Sequence, residues 1–249
     1  MQRIEWHYKS WFARMASLLA ACLVLQGCSA QSRLISASQQ TTVSETLQYY
    51  LYYPPGYDDS ASEPYPLLLF LHGGGESGQD LETLKTGGPP KMLAEGHEFP
   101  FLILAPQNPH EKQWWNVRAV KQLLDTVVHN NRVDPGRIYL TGLSRGGSAC
   151  WEMAVQYPET FVAMAVVCGM APVPYASWID KQLAIWVFHG TEDKVIPFSE
   201  SEQMVSRLRE LGYDVTFTAY EGVGHNAWEQ AYLTEGLFEW FARHRREHP

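Results

Sequence analysis

The segment Ile138-Tyr139-Leu140-Thr141-Gly142-Leu143-Ser144-Arg145-Gly146 decides the fold of this 249-residue chain. An apolar, strand-like run leads into the pentapeptide Gly-x-Ser-x-Gly, and a helix-like stretch follows it. A strand, a sharp turn and a helix in this order form a nucleophile elbow, whose strained turn exposes a serine hydroxyl. Glycines beside the serine suit a turn that leaves little room. The segment predicts that Ser144 is a nucleophile, although so short a pattern also occurs in ordinary turns.

Short apolar runs alternate with segments of helical period along the rest of the chain. The runs are residues 67–71, 101–105, 138–141, 162–167, 184–188 and 215–219. An earlier, aromatic-rich run at 47–53 predicts an edge strand. This alternation is typical of α/β proteins, in which helices cover both faces of a mostly parallel, twisted sheet. We therefore predict that fold class.

The spacing of apolar residues predicts where several helices lie. Two sets recur at helical spacing, Val117, Val120, Leu124 and Val127, and then Met204, Val205, Leu208 and Leu211. Ser199 with Glu202 predicts a capping box at the start of the second helix, and Gly212 predicts its end. Residues 234–246 predict a closing helix with basic side chains in its last turn.

The composition indicates one globular domain and a small or neutral ligand. The chain is 45% hydrophobic, which is enough for one substantial core at this length. The formal net charge is −8. No Lys/Arg-rich block is present to neutralise phosphates, so we expect no nucleic-acid partner. The sequence leaves the oligomeric state open.

Residues 1–27 are typical of a bacterial lipoprotein signal. Basic side chains precede the apolar run 15–25, which is too short for a permanent membrane span. The run ends in Leu25-Gln26-Gly27-Cys28, which resembles a lipoprotein box and predicts lipid on Cys28. Leu19-Ala20-Ala21-Cys22 also fits the pattern, and an ordinary secretory signal or an N-terminal anchor helix is the alternative. Ser29, in place of Asp, favours the outer membrane over other sites in the envelope or periplasm.

The rest of the chain divides into a tether and a domain. Residues 28–42 are polar and predict a lipidated spacer, and residues 43–249 predict the α/β domain. We expect membrane contact only through the lipid.

Cys150 and Cys168 lie in apolar stretches, which favours two separate buried thiols over a disulfide. Because neither has metal-ligand spacing, we expect no metal and no cofactor.

Polar residues after three of the apolar runs occur in the order serine, acid, histidine. Asp193 and His225 follow later runs than Ser144, and the carboxyl ends of parallel strands meet at one edge of a sheet. There His225 would accept the serine proton, and Asp193 would orient the imidazole. Glu192 is the rival acid.

The segment His72-Gly73-Gly74-Gly75 predicts an oxyanion hole. It directly follows the apolar run 67–71. Backbone without side chains can bring an N–H close to a carbonyl oxygen, so we expect one donor at Gly74. The N–H of Arg145, just after the serine, would be the second. Together the four motifs predict a serine hydrolase.

Four segments resemble a group of bacterial α/β-hydrolases. This group includes predicted peptidases, phospholipase/carboxylesterases, and polyhydroxybutyrate-depolymerase-like and feruloyl-type esterases. The segments are HGGG at 72–75, DPGRIYLTGLSRGG at 134–147, HGTED at 189–193 and GHNAW at 224–228. The resemblance implies the α/β-hydrolase fold and a triad of Ser144, Asp193 and His225.

The chain offers little room for a lid over such a site. Lipase-type lids commonly enter after the strand predicted at 162–167, and only residues 168–182 separate it from the next strand. Open access favours soluble or polymer-borne esters as substrates. Trp114, Trp115, Met170 and Trp228 are candidates for substrate contact, with simple packing as the alternative.

Two other functions are compatible with the same motifs. One is a serine peptidase of the prolyl-oligopeptidase-like type, although this chain has no propeller to gate access. The other is a noncatalytic binding protein with the hydrolase fold, a class that usually lacks part of the triad. Because every part of the triad is present, we favour cleavage of carboxylic esters.

Overall fold

The computed structural model describes residues 45–60 and 62–246. Their elements, in chain order, are β1 (Tyr49–Tyr52), β2 (Tyr65–Leu71), α1 (Gly88–Ala94), β3 (Leu102–Pro106), α2 (Val117–Asn130), β4 (Val133–Leu143), α3 (Arg145–Gln156), β5 (Ala163–Val167), β6 (Ala184–Gly190), α4 (Phe198–Glu210), β7 (Val215–Tyr220), α5 (Trp228–Ala231) and α6 (Leu237–Arg243). Two short 3-10 helices, Leu81–Thr86 and Val173–Ser177, lie in connections.

The seven strands form one sheet in the order β1-β3-β2-β4-β5-β6-β7. Only the edge strand β1 is antiparallel to its neighbour, with Tyr50 opposite Ala105, and the other pairs are parallel. This confirms the predicted edge strand and the mostly parallel sheet. Strand β4 lies in the middle, so loops from neighbouring strands on both sides can reach the residue that follows it.

Each face of the sheet carries its own core. Alternate residues of β2 point to opposite faces, so Leu67 and Leu69 join one cluster while Leu68 and Phe70 join the other. Helices α2, α3 and α4 cover the first face, and α1, α5 and α6 cover the second. Because both faces are buried, the strands are continuously apolar, as the sequence indicates.

The start of α4 differs from the prediction. The helix begins at Phe198, directly after Pro197, and no side chain caps it. The predicted capping box of Ser199 and Glu202 is therefore wrong, because Ser199 already lies within the first turn. The predicted stop is confirmed, since Gly212 adopts a left-handed φ of 81° just beyond the helix.

The closing helix is shorter than the predicted span of 234–246. Helix α6 covers Leu237–Arg243 and begins after Gly236, whose φ is 81°. Its end is set by tertiary contacts, because the Arg246 guanidinium binds the Asp180 carboxylate and the backbone N–H of Arg246 donates to Gly136 O at 2.9 Å. These contacts draw the chain away from the helix axis.

The predicted signal at 1–27, the lipid site Cys28 and the whole spacer at 28–42 lie outside the described residues. They stay predictions. Within residues 45–60 and 62–246, no helix is both long and apolar enough to cross a membrane.

Candidate active site

Ser144 lies at a strained turn between β4 and α3. Its φ is 53° and its ψ is −119°, a conformation that non-glycine residues seldom adopt. The backbone N–H of Ser144 donates to Val167 O at 2.9 Å, which ties the turn to the end of β5. A Cβ at Gly146 would collide with the carbonyl oxygens of Leu71 and His72. Glycine is needed there because α3 begins against the end of β2.

Three predicted side chains meet at this turn. Ser144 Oγ lies 2.8 Å from His225 Nε2, and His225 Nδ1 lies 2.7 Å from Asp193 Oδ2. Asp193 is buried, whereas Ser144 and His225 remain partly accessible to solvent. The arrangement can pass a proton from the hydroxyl to an oriented imidazole. Glu192 is exposed, and it is Asp193 that pairs with the imidazole.

Asp193 is held as a carboxylate by the hydrogen bonds around it. Burial raises the pKa of the Asp193 carboxyl, but the hydrogen bonds from His225, Val195 and Ile196 bring it below its usual value. The backbone N–H groups of Val195 and Ile196 donate to Oδ1 at 2.8 and 3.0 Å, which leaves Oδ2 for the imidazole. An ionised acid can stabilise the cation that His225 forms on accepting a proton.

His189 is a neighbour of this acid that the sequence reasoning missed. It is fully buried, and its Nε2 lies 3.2 Å from Asp193 Oδ2 and 3.0 Å from Ile196 O. Its Nδ1 lies 2.7 Å from Ser201 Oγ. Burial lowers the pKa of His189, so the ring is neutral at neutral pH. A histidine at the buried end of a strand, four residues before the acid, was the available signal.

The predicted oxyanion loop lies against the nucleophile. A Cβ at Gly73 would be 3.4 Å from Ser144 Cβ, so this backbone borders the serine directly. Gly74 follows it and is partly exposed. Arg145 is the first residue of α3, and the first N–H groups of a helix have no partner within it. The Arg145 N–H and the backbone next to Gly74 therefore adjoin the nucleophile, and the two predicted donors stay predictions.

The Arg145 side chain connects the loops on either side of the oxyanion segment. Its Nη1 donates to Ser77 Oγ at 3.2 Å and to the carbonyl oxygens of Glu111 and Gln113 at 2.9 and 3.1 Å. Its guanidinium would meet a Cβ at Gly74 at 2.9 Å. The guanidinium thus holds the loop after β2 against the loop after β3.

His72 anchors the same segment through buried hydrogen bonds. It is fully buried, and its Nε2 accepts the Asn108 N–H at 2.9 Å while its Nδ1 donates to Gly73 O at 2.6 Å. Burial lowers the pKa of His72 to about 4. The neutral ring needs this tautomer to make both bonds. Trp115 Nε1 donates to His72 O at 3.2 Å, which adds a further anchor.

One cluster in the described part of the chain has metal-ligating chemistry. Ligand atoms of Cys168, His189 and Asp193 lie within 4.8 Å of one another. Burial raises the pKa of the Cys168 thiol to about 12, so it is protonated at neutral pH. The other two side chains already make the hydrogen bonds described above. Cys150 and Cys168 are separate buried thiols, as predicted.

The predicted substrate contacts lie in two places. Trp114, Trp115 and Met170 line one cleft beside α3. Trp114 is 58% exposed, whereas Trp115 is 5% exposed and mainly anchors His72. Trp228 is not among the residues lining that cleft; it packs edge-to-face on His225 with ring centroids 5.3 Å apart.

Comparison with known proteins agrees with this geometry. The family model described as phospholipase/carboxylesterase matches residues 99–233, more than half of the chain. The chain is 27% identical to carboxylesterase SOBER1 of Arabidopsis thaliana over 64% of this chain and 82% of that protein. It is 25% identical to poly(3-hydroxyalkanoate) depolymerase C of Paucimonas lemoignei over 87% of this chain and 61% of that one.

A solved structure shares the architecture. The crystal structure of a thermostable esterase aligns with a TM-score of 0.69 and 30% identity, covering 80% of this chain. This chain spans 60% of the length of that esterase. The sheet order, the elbow and the family match lead to one conclusion: the chain belongs to the phospholipase/carboxylesterase family of α/β-hydrolases and, as a member of it, is a serine hydrolase of carboxylic esters.

Proposed function

We propose that the chain cleaves carboxylic esters through an acyl-enzyme on Ser144. Ser144 Oγ attacks the ester carbonyl carbon while His225 Nε2 takes its proton. The bond from that carbon to the alcohol oxygen then breaks, and His225 gives the proton to the departing alcohol. Water then attacks the acyl carbon while the same imidazole takes its proton; the bond from that carbon to Ser144 Oγ breaks, the imidazole returns the proton to Oγ, and the acid leaves. The 2.8 Å contact between Ser144 and His225 carries this proposal.

Two backbone donors would stabilise the negative oxygen that develops during each attack. The candidates are the N–H of Arg145, the residue that follows Ser144 at the start of α3, and the N–H of Gly74, which follows the Gly73 backbone that borders Ser144. Each such donor contributes roughly 10²–10³-fold in turnover in other hydrolases. The bonds to His72 and Arg145 hold this loop in place before substrate arrives, so little reorganisation is needed.

We also propose that the substrates are soluble or polymer-borne esters. The connection between β5 and β6 contains only the 3-10 helix Val173–Ser177, so the site is open. The similarity to a carboxylesterase and to a polyhydroxyalkanoate depolymerase supports an ester over a peptide.

Replacement of the nucleophile tests the mechanism. We expect Ser144→Ala to lower hydrolysis of 4-nitrophenyl acetate by about 10⁴-fold or more. A fluorophosphonate probe should label the wild type but not this variant. Ser206→Ala, which removes an exposed hydroxyl on α4, is the matched control. It should hydrolyse the ester and react with the probe as the wild type does. Wild-type turnover by Ser144→Ala would overturn the proposal, and faster cleavage of peptide anilides than of esters would favour the peptidase.

A further inference from the structure

A cleft of about 330 Å³ follows α3 and begins at Ser148, one helical turn beyond the nucleophile. Ser148 and Glu152 line it, and they come one and two helical turns after Ser144. At 1.5 Å per residue, the cleft therefore extends to about 12 Å from the serine along the helix axis. This is within reach of one arm of an ester whose carbonyl sits at Ser144.

The walls of the cleft are apolar and aromatic. Trp114, Met170, Pro172 and Tyr175 contribute to them. Trp114 and Met170 are among the large apolar side chains that the fold leaves exposed, at 58% and 36%. Exposed apolar surface concentrated in one concave place is typical of a ligand site.

The charges at the cleft are all negative. Glu152 and Glu200 line it, and its described lining includes no lysine, arginine or histidine. Glu152 Oε1 accepts a hydrogen bond from Gln156 Nε2 at 2.8 Å. Among residues 45–60 and 62–246, no ion pair neutralises either carboxylate. Partial burial also raises the pKa of the Glu152 carboxyl. A cation in the cleft would relieve this unbalanced charge.

We infer that this cleft binds the outer end of one ester arm and that this end is an organic cation, such as an ammonium group. The inference rests on the proposed function and adds a substrate class to it. Aromatic faces attract cations, and carboxylates complement them. The same carboxylates repel an arm that ends in an acid. The walls accommodate the apolar spacer between the ester and the charge.

Matched esters test the inference. One series consists of 4-nitrophenyl esters of acyl chains of equal length that end in trimethylammonium, tert-butyl or carboxylate groups. A second series places the same three ends on the alcohol arm of acetate esters. The values of kcat/KM are measured at low salt, because screening weakens exposed charges. The enzymes are the wild type, Glu152→Gln, Glu200→Gln, the double variant and Glu202→Gln, an exposed control on α4 outside the cleft.

We expect the wild type to prefer the cationic ester over its neutral isostere by about tenfold in one of the two series, and to handle the anionic ester worst. The ratio of cationic to neutral rates should fall to about one in the double variant and stay unchanged in Glu202→Gln. Using the ratio within each enzyme makes the result independent of any change in its basal rate.

Two results would overturn the inference. One is a wild type with no preference for the cation in either series, and the other is a preference that survives in the double variant. Both leave the proposed function intact, as long as 4-nitrophenyl acetate is cleaved by the wild type and not by Ser144→Ala. If the wild type and Ser144→Ala cleaved 4-nitrophenyl acetate equally well, the proposed function itself would be wrong.

Discussion

At the scale of the residue, the choice of acid depends on which carboxylate the turn after β6 buries. Asp193 and Glu192 are neighbours, yet only Asp193 faces His225. Its two oxygens receive separate sets of donors, from the backbone on Oδ1 and from His225 on Oδ2. This division holds the imidazole in one orientation and one tautomer.

Exchange of the acid for its amide tests that assignment. We expect Asp193→Asn to lower kcat on 4-nitrophenyl acetate by about 10⁴-fold, because an amide cannot hold the tautomer or stabilise the imidazolium. Glu192→Gln is the neighbouring control and should stay within about twofold, since an exposed side chain away from the site contributes little. The reverse pattern would assign the acid to Glu192.

His72 makes folding sensitive to moderate acid. The pKa of its ring is about 4 in the folded protein against 6.5 for the free side chain, because burial disfavours the charged form. The unfolded chain therefore binds a proton that the folded chain does not between these pH values. The contribution of the neutral His72 ring to the free energy of unfolding is fully present above pH 6.5 and is lost as the pH falls towards 4. The loss amounts to about 3 kcal/mol.

Urea unfolding at pH 7.0, 5.5 and 4.5 measures this loss. We expect His72→Gln to be less stable at pH 7 but to lose less free energy of unfolding on acidification than the wild type. His97→Gln removes an exposed histidine. Its free energy of unfolding should change with pH by the same amount as that of the wild type. If His72→Gln and the wild type had equal slopes, His72 would not be the source of the acid sensitivity.

At the scale of the element, the elbow depends on how closely α3 approaches β2. The backbone of Gly146 abuts the carbonyl oxygens that end β2, and those atoms belong to rigid main chain. Gly75, in the nearby oxyanion loop, has no atom within 4 Å of an added Cβ. The two glycines therefore differ in the space around them, although both lie in glycine-rich motifs.

Alanine substitutions at Gly146 and Gly75 test this difference in available space. We expect Gly146→Ala to destabilise the protein by about 3 kcal/mol or more, since backbone must move to admit the methyl group. Gly75→Ala should change the free energy of unfolding by less than about 1 kcal/mol. Thermal and urea unfolding of both variants provide the measurement. Equal stability of the two variants would mean that α3 can shift away from β2 at little cost.

At the scale of the whole molecule, one edge of the sheet collects residues from six strand ends. The residues are His72 after β2, Trp114 after β3, Ser144 after β4, Met170 after β5, Asp193 after β6 and His225 after β7. Parallel strands bring these loops together although the chain separates Ser144 from His225 by 81 positions. The N-terminal tether predicted by the sequence would hold this domain at a membrane surface.

Substitution of the predicted lipid site tests that tether in bacterial cells. We expect the full-length chain to incorporate a fatty-acid label and to partition with membranes. Cys28→Ser should lose both properties, because its thiol is the predicted point of attachment. Cys22→Ser is the control and should keep both. Loss in Cys22→Ser alone would move the site to the alternative box, and absence of label from the unsubstituted chain would exclude a lipoprotein.

The sequence by itself determined the order of the strands, the serine turn and the candidates Asp193 and His225. It could do so because apolar period, glycine turns and the run from strand to helix are local properties of the chain, whereas it gave no sign of the short helices α1 and α5. Parallel pairing then brings successive strand ends to one edge, so the order serine, acid, histidine already predicts a shared site.

Only the tertiary structure decided which neighbours complete that site. The contact of His189 with Asp193 and the hydrogen bonds of the Arg145 guanidinium to two loops depend on how separate loops turn towards one another. The end of α6 also departed from the local signal, because Arg246 binds Asp180 and Gly136 and so draws the chain away from the helix axis. Contacts between distant segments leave no periodic pattern of apolar residues in the sequence. They are determined by how side chains pack once the sheet has formed.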